Sequence, residues 1–292
     1  MEKASAESGE RAPSRGPGSL PLGQQLLGAG KLTEDEIVRV VSAQRQRNVR
    51  FGEAAIHLGF VSQEDVQAAL ARQFDYPRAS PDDTTFSPLL VAATQPHCRQ
   101  SEAFRALRSQ LLLRWFAERR KALAVTASRR GQGTSTLAAN LAILFAQMGE
   151  RTVLIDANLR SPAQSRLFGL DSRPGLSDVL TGRCTVQDAL CAVGEFDNLW
   201  VLPAGVPPPN PQELLGRVAF SYLIETAPAG FDIVIVDTPP ILEFADALLI
   251  SALTRGCILA VRRNEARVAD ISQVRNELQP TAAELVGAVV FD

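Results

Sequence analysis

Residues 128–136, SRRGQGTST, follow an apolar run (ALAVTA, 122–127) and open an alanine- and leucine-rich segment that closes at Gly149. Strand, glycine-bearing turn and helix in that order are the context a phosphate loop requires, with an ordinary tight βα-turn the alternative. Glycines let backbone N–H groups converge on phosphate oxygens, and the helix N-terminus adds a favourable dipole. Gly131 and Gly133 supply that nest, and Ser128, Arg129, Arg130, Gln132, Thr134 and Thr136 complete the candidate nucleotide-binding loop. Ser135 stands where a hydroxyl contacts Mg²⁺, but Thr134 fills the position that usually carries a lysine. Arg129 and Arg130 are the nearest candidate replacements for that charge.

Two further stretches belong to the same chemistry. TVLIDANLR (152–160) ends an apolar run on Asp156, with Asn158 and Arg160 following, and DIVIVDTPP (232–240) ends another on Asp237. A carboxylate at the end of a buried strand beside a phosphate loop can hold a Mg²⁺-bound water or accept a proton. Asp156 and Asp237 are therefore the candidate catalytic residues and, with Ser135, the candidate Mg²⁺ ligands. Asn158 and Arg160 join the nucleotide-binding set.

These residues need a scaffold that brings strand ends together. From residue 101 to 292, six apolar runs, from ALAVTA to VGAVVF, alternate with segments of helical period. Strands buried on both faces and separated by helices predict a doubly wound α/β domain with a mainly parallel sheet, whose ligands sit at the carboxyl ends of the strands. Before it, residues 21–44 align without a gap on residues 50–73, with Gly23 matching Gly52, Gly30 matching Gly59 and Gln44 matching Gln73. Thr33 and Ser62, each three residues before an acid, read as helix N-caps. Residues 21–75 are thus expected to form a small all-α repeat module. Residues 1–20, rich in Ser, Gly, Pro and charge, read as a disordered tail without a signal sequence, and 76–100 as a linker.

Composition narrows the partners. Apolar residues make up 46% of the 292, enough for a buried core, and the formal net charge of −2 argues against nucleic-acid binding. No apolar run is long enough to span a bilayer. Four scattered cysteines and two histidines give neither a disulfide framework nor a metal cluster, and the thiols are expected to be reduced.

The three motifs together resemble the bacterial tyrosine kinases (BY-kinases) of exopolysaccharide systems, relatives of the MinD/ParA-type P-loop ATPases. The likeness is closest to the EpsG-type chain-length determinant kinases. RSQLLLRWF, RLFGL and PPNPQELLGR carry it beyond the phosphate loop, and SEAFRALRSQ matches the family's E-x-x-R-x-x-R pattern through Glu102, Arg105 and Arg108. The resemblance implies ATP or ADP with Mg²⁺, self-association through those three residues, and docking on a polysaccharide chain-length regulator. The location it implies is cytoplasmic, peripheral to the inner membrane through that partner. Departures are equally definite: Thr134 for lysine, Asn158 for an aspartate, and no tyrosine cluster at the end, since Tyr76 and Tyr222 are the only tyrosines. The expectation is a weak or inactive kinase acting as a nucleotide-dependent switch. An active kinase for a partner in trans and a nucleotide-free scaffold are the alternatives.

The repeat module resembles the N-terminal domain of type II secretion and pilus ATPases, whose MshEN version binds cyclic di-GMP. Leu22, Gly23, Gly30, Arg50, Phe51, Gly52, Gly59 and Gln73 match that pattern, while Pro21 replaces the first repeat's arginine. An arginine fork suits a guanine edge or phosphate, and proline supplies no donor. Either a sensor or a protein-docking module is consistent with this. Calorimetry with cyclic di-GMP separates them: measurable heat by high micromolar ligand is expected of a sensor, and silence of a docking module.

Overall fold

The computed structural model describes residues 21–47, 49–73, 85–118, 120–170 and 173–291, the side chains at 68 and 71–73 excepted. The tail expected at 1–20 and most of the first half of the expected linker lie outside the described residues. The chain divides into two units between Pro77 and Arg78.

The first unit holds α1 (Leu22–Gly28), α2 (Glu34–Arg47), α3 (Phe51–His57) and α4 (Gln63–Gln73). Both expected caps form. Glu36 accepts from the Thr33 amide at 2.8 Å and its own amide donates back to Thr33 Oγ1, and Ser62 and Asp65 do the same at 3.0 and 3.1 Å. Repeat-equivalent positions are buried in both copies: Leu26 with Ala55, Leu32 with Val61, Val40 with Ala69. The repeat is thus a packing repeat.

The second unit is a seven-stranded sheet in the order β3-β4-β2-β5-β1-β6-β7. Its elements, in chain order, are α5 (Val91–Thr94), α6 (Arg99–Arg114), β1 (Ala122–Ala127), α7 (Thr134–Ala146), β2 (Thr152–Asp156), α8 (Gln164–Leu167), α9 (Leu176–Leu180) and α10 (Val186–Ala189). They continue with β3 (Cys191–Ala192), β4 (Leu199–Leu202), α11 (Pro211–Leu215), α12 (Val218–Gly230), β5 (Ile233–Asp237), α13 (Asp246–Thr254), β6 (Gly256–Arg262), α14 (Val268–Leu278) and β7 (Glu284–Phe291). All pairings are parallel except that of the two-residue edge strand β3 with β4. Alternate residues feed two cores. Leu123, Val125, Leu154 and Ile235 face one layer of helices, and Ala124, Val153, Val234 and Val236 face the other. That two-sided burial is why the strands read as continuous apolar runs.

The expected linker needs correction. Residues 85–100 are part of the second unit: Phe86 meets the rings of Phe168 and Phe196 edge-on at 6.3 and 6.0 Å. The Ala92 amide donates to Asn140 Oδ1 at 2.9 Å, and Gln147 Nε2 donates to the Ala92 carbonyl at 3.1 Å. Prolines and small polar residues mark this stretch as irregular, which it is outside α5 and the first two residues of α6. Irregular backbone can still be packed, here because buried Asn140 and Gln147 of the α7 segment satisfy its polar groups.

Trp115 closes the lower end of the sheet. Its ring is fully buried, its Nε1 donates to the Ala122 carbonyl at 3.0 Å, and a Cβ added at Gly256 would lie 2.2 Å from the ring. Gly256→Ala is expected to cost about 1–3 kcal/mol through overpacking, read as a lower urea midpoint. An unchanged midpoint would show that the ring has room to retreat.

Candidate functional site

The β1–α7 turn has the conformation that the glycines allow. Gly131 and Gly133 lie at φ +82° and +76°, a left-handed region that side chains rarely adopt. Gly133 is the N-cap of α7 and has no side chain to cap with. Among the described residues, no acceptor takes the amides of Thr134, Ser135 or Thr136. These donors face a cavity of about 420 Å³ lined by Arg129, Arg130, Gly131, Gly133, Thr134, Ser135, Thr136, Asn158 and Arg160. Two members of the expected loop set are not in its wall. Ser128 and Gln132 are buried, and their side chains bond each other at 3.0 Å, bracing the turn from behind.

The arginines of the loop are already paired. Arg129 forks onto Asp270 at 2.8 and 3.2 Å, and Arg130 bonds Glu243 through both its amide (3.0 Å) and its Nε (3.1 Å). Arg160 forks onto the buried Asp246 at 2.6 and 3.2 Å and covers the Phe244 ring at 4.3 Å. Asn158 is also engaged, its Oδ1 accepting from the Ser161 amide in a tight turn. Arg129 and Arg130, the candidate replacements for the missing lysine, do not supply its charge to the loop here; both guanidinium groups turn to carboxylates.

Beneath the cavity, β2 and β5 are neighbours in register with Asp156 opposite Asp237. Both carboxylates are fully buried. Asp156 accepts from three backbone amides: Asn158 at 3.3 Å, Ala163 at 3.0 Å and Gln164 at 2.9 Å. Gln164 then reaches on, donating from Nε2 to Asp237 Oδ2 at 2.7 Å and to the Ser135 carbonyl at 3.2 Å. One buried glutamine thus ties both strand ends to the first turn of α7. Sequence reasoning missed it, since its partners lie 8, 29 and 73 residues away and an isolated glutamine carries no signal. Glu243, Asp246 and Asp270 were missed for the same reason.

Burial pushes the Asp237 carboxyl up to about 8, with the neighbouring Asp156 charge adding to it against the hydrogen bonds of Ser135, Gln164 and Thr238. Burial also raises Asp156, to about 6, opposed by its three amides. Each carboxyl thus holds a proton more readily than a solvated one, Asp237 the more strongly of the two. Asp237 Oδ1 is buried without a hydrogen-bond donor among the described residues, as is suited to an oxygen-seeking divalent cation above it. Asp237 with the Ser135 hydroxyl fits such an ion. Asp156 fits less well as a direct ligand, because its oxygens are taken by backbone amides. No cluster of three or more His, Cys, Asp or Glu that could hold a metal exists among the described residues. A cation here would complete its shell from water and a bound phosphate.

The residues expected to mediate self-association lie together on α6. Arg105 pairs with Glu102, whereas Arg108 Nη1 donates to the Leu144 carbonyl of α7 at 3.1 Å. In the repeat unit, most of the cyclic di-GMP candidates have packing roles. A Cβ at Gly23 would come 3.1 Å from the Phe51 ring, and one at Gly52 2.7 Å from Val66; Gly30 and Gly59 take left-handed turns. Leu22 and Phe51 pack on the unit's core, and the Arg50 amide is capped by Glu53 at 3.2 Å. The Gln73 side chain lies outside the described residues.

An open helix N-terminus in a glycine turn, above paired strand-end carboxylates, defines a P-loop α/β protein. The AAA domain family (AAA_31) matches residues 120–262, which span all of these motifs. The tyrosine-protein kinase YwqD of Bacillus subtilis is 35% identical over 201 residues, 69% of this chain and 84% of the relative. The chimerical protein CapA2B2 superposes with a TM-score of 0.65 at 32% identity, covering 78% of this chain and 98% of that one. The kinase domain of the Escherichia coli tyrosine kinase ETK gives a TM-score of 0.68 at 28% identity, covering 74% and 84%. At the level of fold alone, MinD of Pyrococcus horikoshii, solved with Mg-ADP, is similar (TM-score 0.52, 22% identity, 58% of this chain and 69% of that one). The chain belongs to the bacterial tyrosine-protein kinase (BY-kinase) family.

The carboxylate pair gives a pH test. Asp237 is raised above its unfolded value of 3.8, so its contribution to stability is greatest below that value and is lost as pH rises toward about 8. Metal-free protein is expected to lose stability over that window, at up to about 1.4 kcal/mol per pH unit, and Asp237→Asn to flatten the slope. Parallel urea-midpoint profiles for the two proteins would contradict the burial argument.

Proposed function

We propose that this chain is a nucleotide-responsive assembly subunit of an exopolysaccharide system, with weak Mg²⁺–ATP or Mg²⁺–ADP binding and little tyrosine kinase activity. Threonine at position 134 carries this reading. A polyphosphate would take the open amides of α7's first turn, with Ser135 and Asp237 holding the cation, which neutralises phosphate charge. The Thr134 hydroxyl brings no positive charge to that site. One charge-assisted bond to phosphate is worth roughly 1.5–3 kcal/mol, about 10- to 150-fold in affinity. Its loss at a transition state costs on the order of 10²–10³ in rate. Binding thus survives better than catalysis.

Nucleotide state would bias self-association through the α6 surface bearing Glu102 and Arg105, with Arg108 tying that surface to the C-terminal end of α7, the helix whose first turn holds the open amides. Docking on a membrane-bound chain-length regulator is inferred from the resemblance to exopolysaccharide kinases, and the described residues include no helix long and apolar enough to cross a membrane. The repeat unit is assigned to protein docking, supported by glycines already used in helix packing.

Titration of a fluorescent ATP analogue with Mg²⁺ tests the proposal. The wild type is expected to bind in the micromolar range or weaker, and Thr134→Lys to tighten binding roughly 10- to 150-fold. Nanomolar wild-type affinity, or a Thr134→Lys variant no tighter than wild type, would overturn it.

A further inference from the structure

Five arginines line the cavity above the phosphate turn: Arg129, Arg130, Arg160, Arg166 and Arg262. Four are committed. Arg129 is held by Asp270, Arg130 by Glu243, and Arg160 by Asp246, while Arg262 lies 3.6 Å from Glu265 and donates to the Gly131 carbonyl at 3.3 Å. Withdrawing any of these toward a phosphate strands a carboxylate beside the incoming negative charge. Asp246 and Asp270 are nearly buried, so their loss of a partner would be costly. Arg166 differs. Among the described residues its guanidinium has no ion pair and no hydrogen bond, and it is exposed at the cavity rim.

The backbone beneath Arg166 is fixed on the phosphate turn. It sits on α8, two residues after Gln164, whose side chain grips both the Ser135 carbonyl and Asp237. Arg166 and Thr134–Thr136 line the same cavity, and turning this guanidinium toward their amides breaks no existing pair. Four arginine–carboxylate pairs are close to neutral, so Arg166 is the uncompensated positive charge that the cavity wall offers.

We propose that Arg166 is the phosphate-binding cation of this site, supplying from α8 the charge that Thr134 does not supply from the loop. The ligand class is a nucleoside polyphosphate, and the inference rests on the nucleotide reading above. A guanidinium presents a planar fork to phosphate oxygens, where a lysine acts as a point charge. The site would then favour a ligand with adjacent phosphate groups over a nucleoside or monophosphate.

The test is an equilibrium titration of the full chain with a fluorescent ATP analogue and Mg²⁺, with AMP as a competing ligand. Wild type, Arg166→Gln, Arg166→Lys and the double variant Arg166→Gln/Thr134→Lys are compared, with thermal melts to confirm that each is folded. Arg166→Gln is expected to weaken the triphosphate by roughly tenfold or more, leave AMP competition little changed, and be rescued in the double variant. Arg166→Lys is expected to retain part of the affinity. Triphosphate affinity of Arg166→Gln within twofold of wild type would overturn this inference and leave the nucleotide reading standing. Failure of the wild type itself to bind the analogue would overturn both.

Discussion

The site depends on placing two carboxylates side by side in the interior. Parallel pairing of β2 with β5 leaves no choice: the strand ends are in register, so Asp156 and Asp237 lie opposite each other, both fully buried. The protein resolves the repulsion asymmetrically. Three backbone amides favour the charge on Asp156, while burial and that charge favour the protonated form of Asp237, whose Oδ1 has no hydrogen-bond donor among the described residues. Gln164 is the strut between them. The shared strain on this pair is what a divalent cation would relieve, and it lies directly under the turn whose amides are open.

Charge around the cavity follows a different logic. In place of one lysine in the loop, the wall carries arginines paired one-to-one with acids from α14, from α13 and from the segment preceding it. The exposed Arg130–Glu243 pair contributes little to stability, but each pair fixes where its guanidinium points. Arg130 and Arg160 also share the Phe244 ring, at 5.2 and 4.3 Å. The rim is therefore an ordered lattice of charge in which an unpaired member has the freedom to respond to a ligand.

Much of this was legible in the sequence, for local reasons. Buried parallel strands show as apolar runs, glycine turns show as glycines, and the caps at Thr33 and Ser62 need only an acid three residues on. Asp156 and Asp237 could be placed because a strand-end acid is read from its own strand. What stayed hidden was everything closed by long-range contact. Gln164, Glu243, Asp246 and Asp270 each act across the fold, and no period or spacing points to them. Residues 85–100 misled for the opposite reason: their composition is that of a connector, but their polar groups find partners on α7. Asn210 illustrates a smaller limit. It occupies the N-cap position of α11 before Pro211, yet its side chain makes no capping bond.

The stretch that begins at Thr85 has a mechanical consequence. Thr85 lies against Gly169, the Ser87 amide donates to the Leu167 carbonyl at 2.9 Å, and Phe86 meets Phe168 edge-on. All three contacts fall on α8 or the turn just after it. Among the described residues, the first of this unit are therefore stitched to the short helix that carries Gln164. A tug on those residues would be felt by the strut between the two acids first, and by the sheet only afterwards.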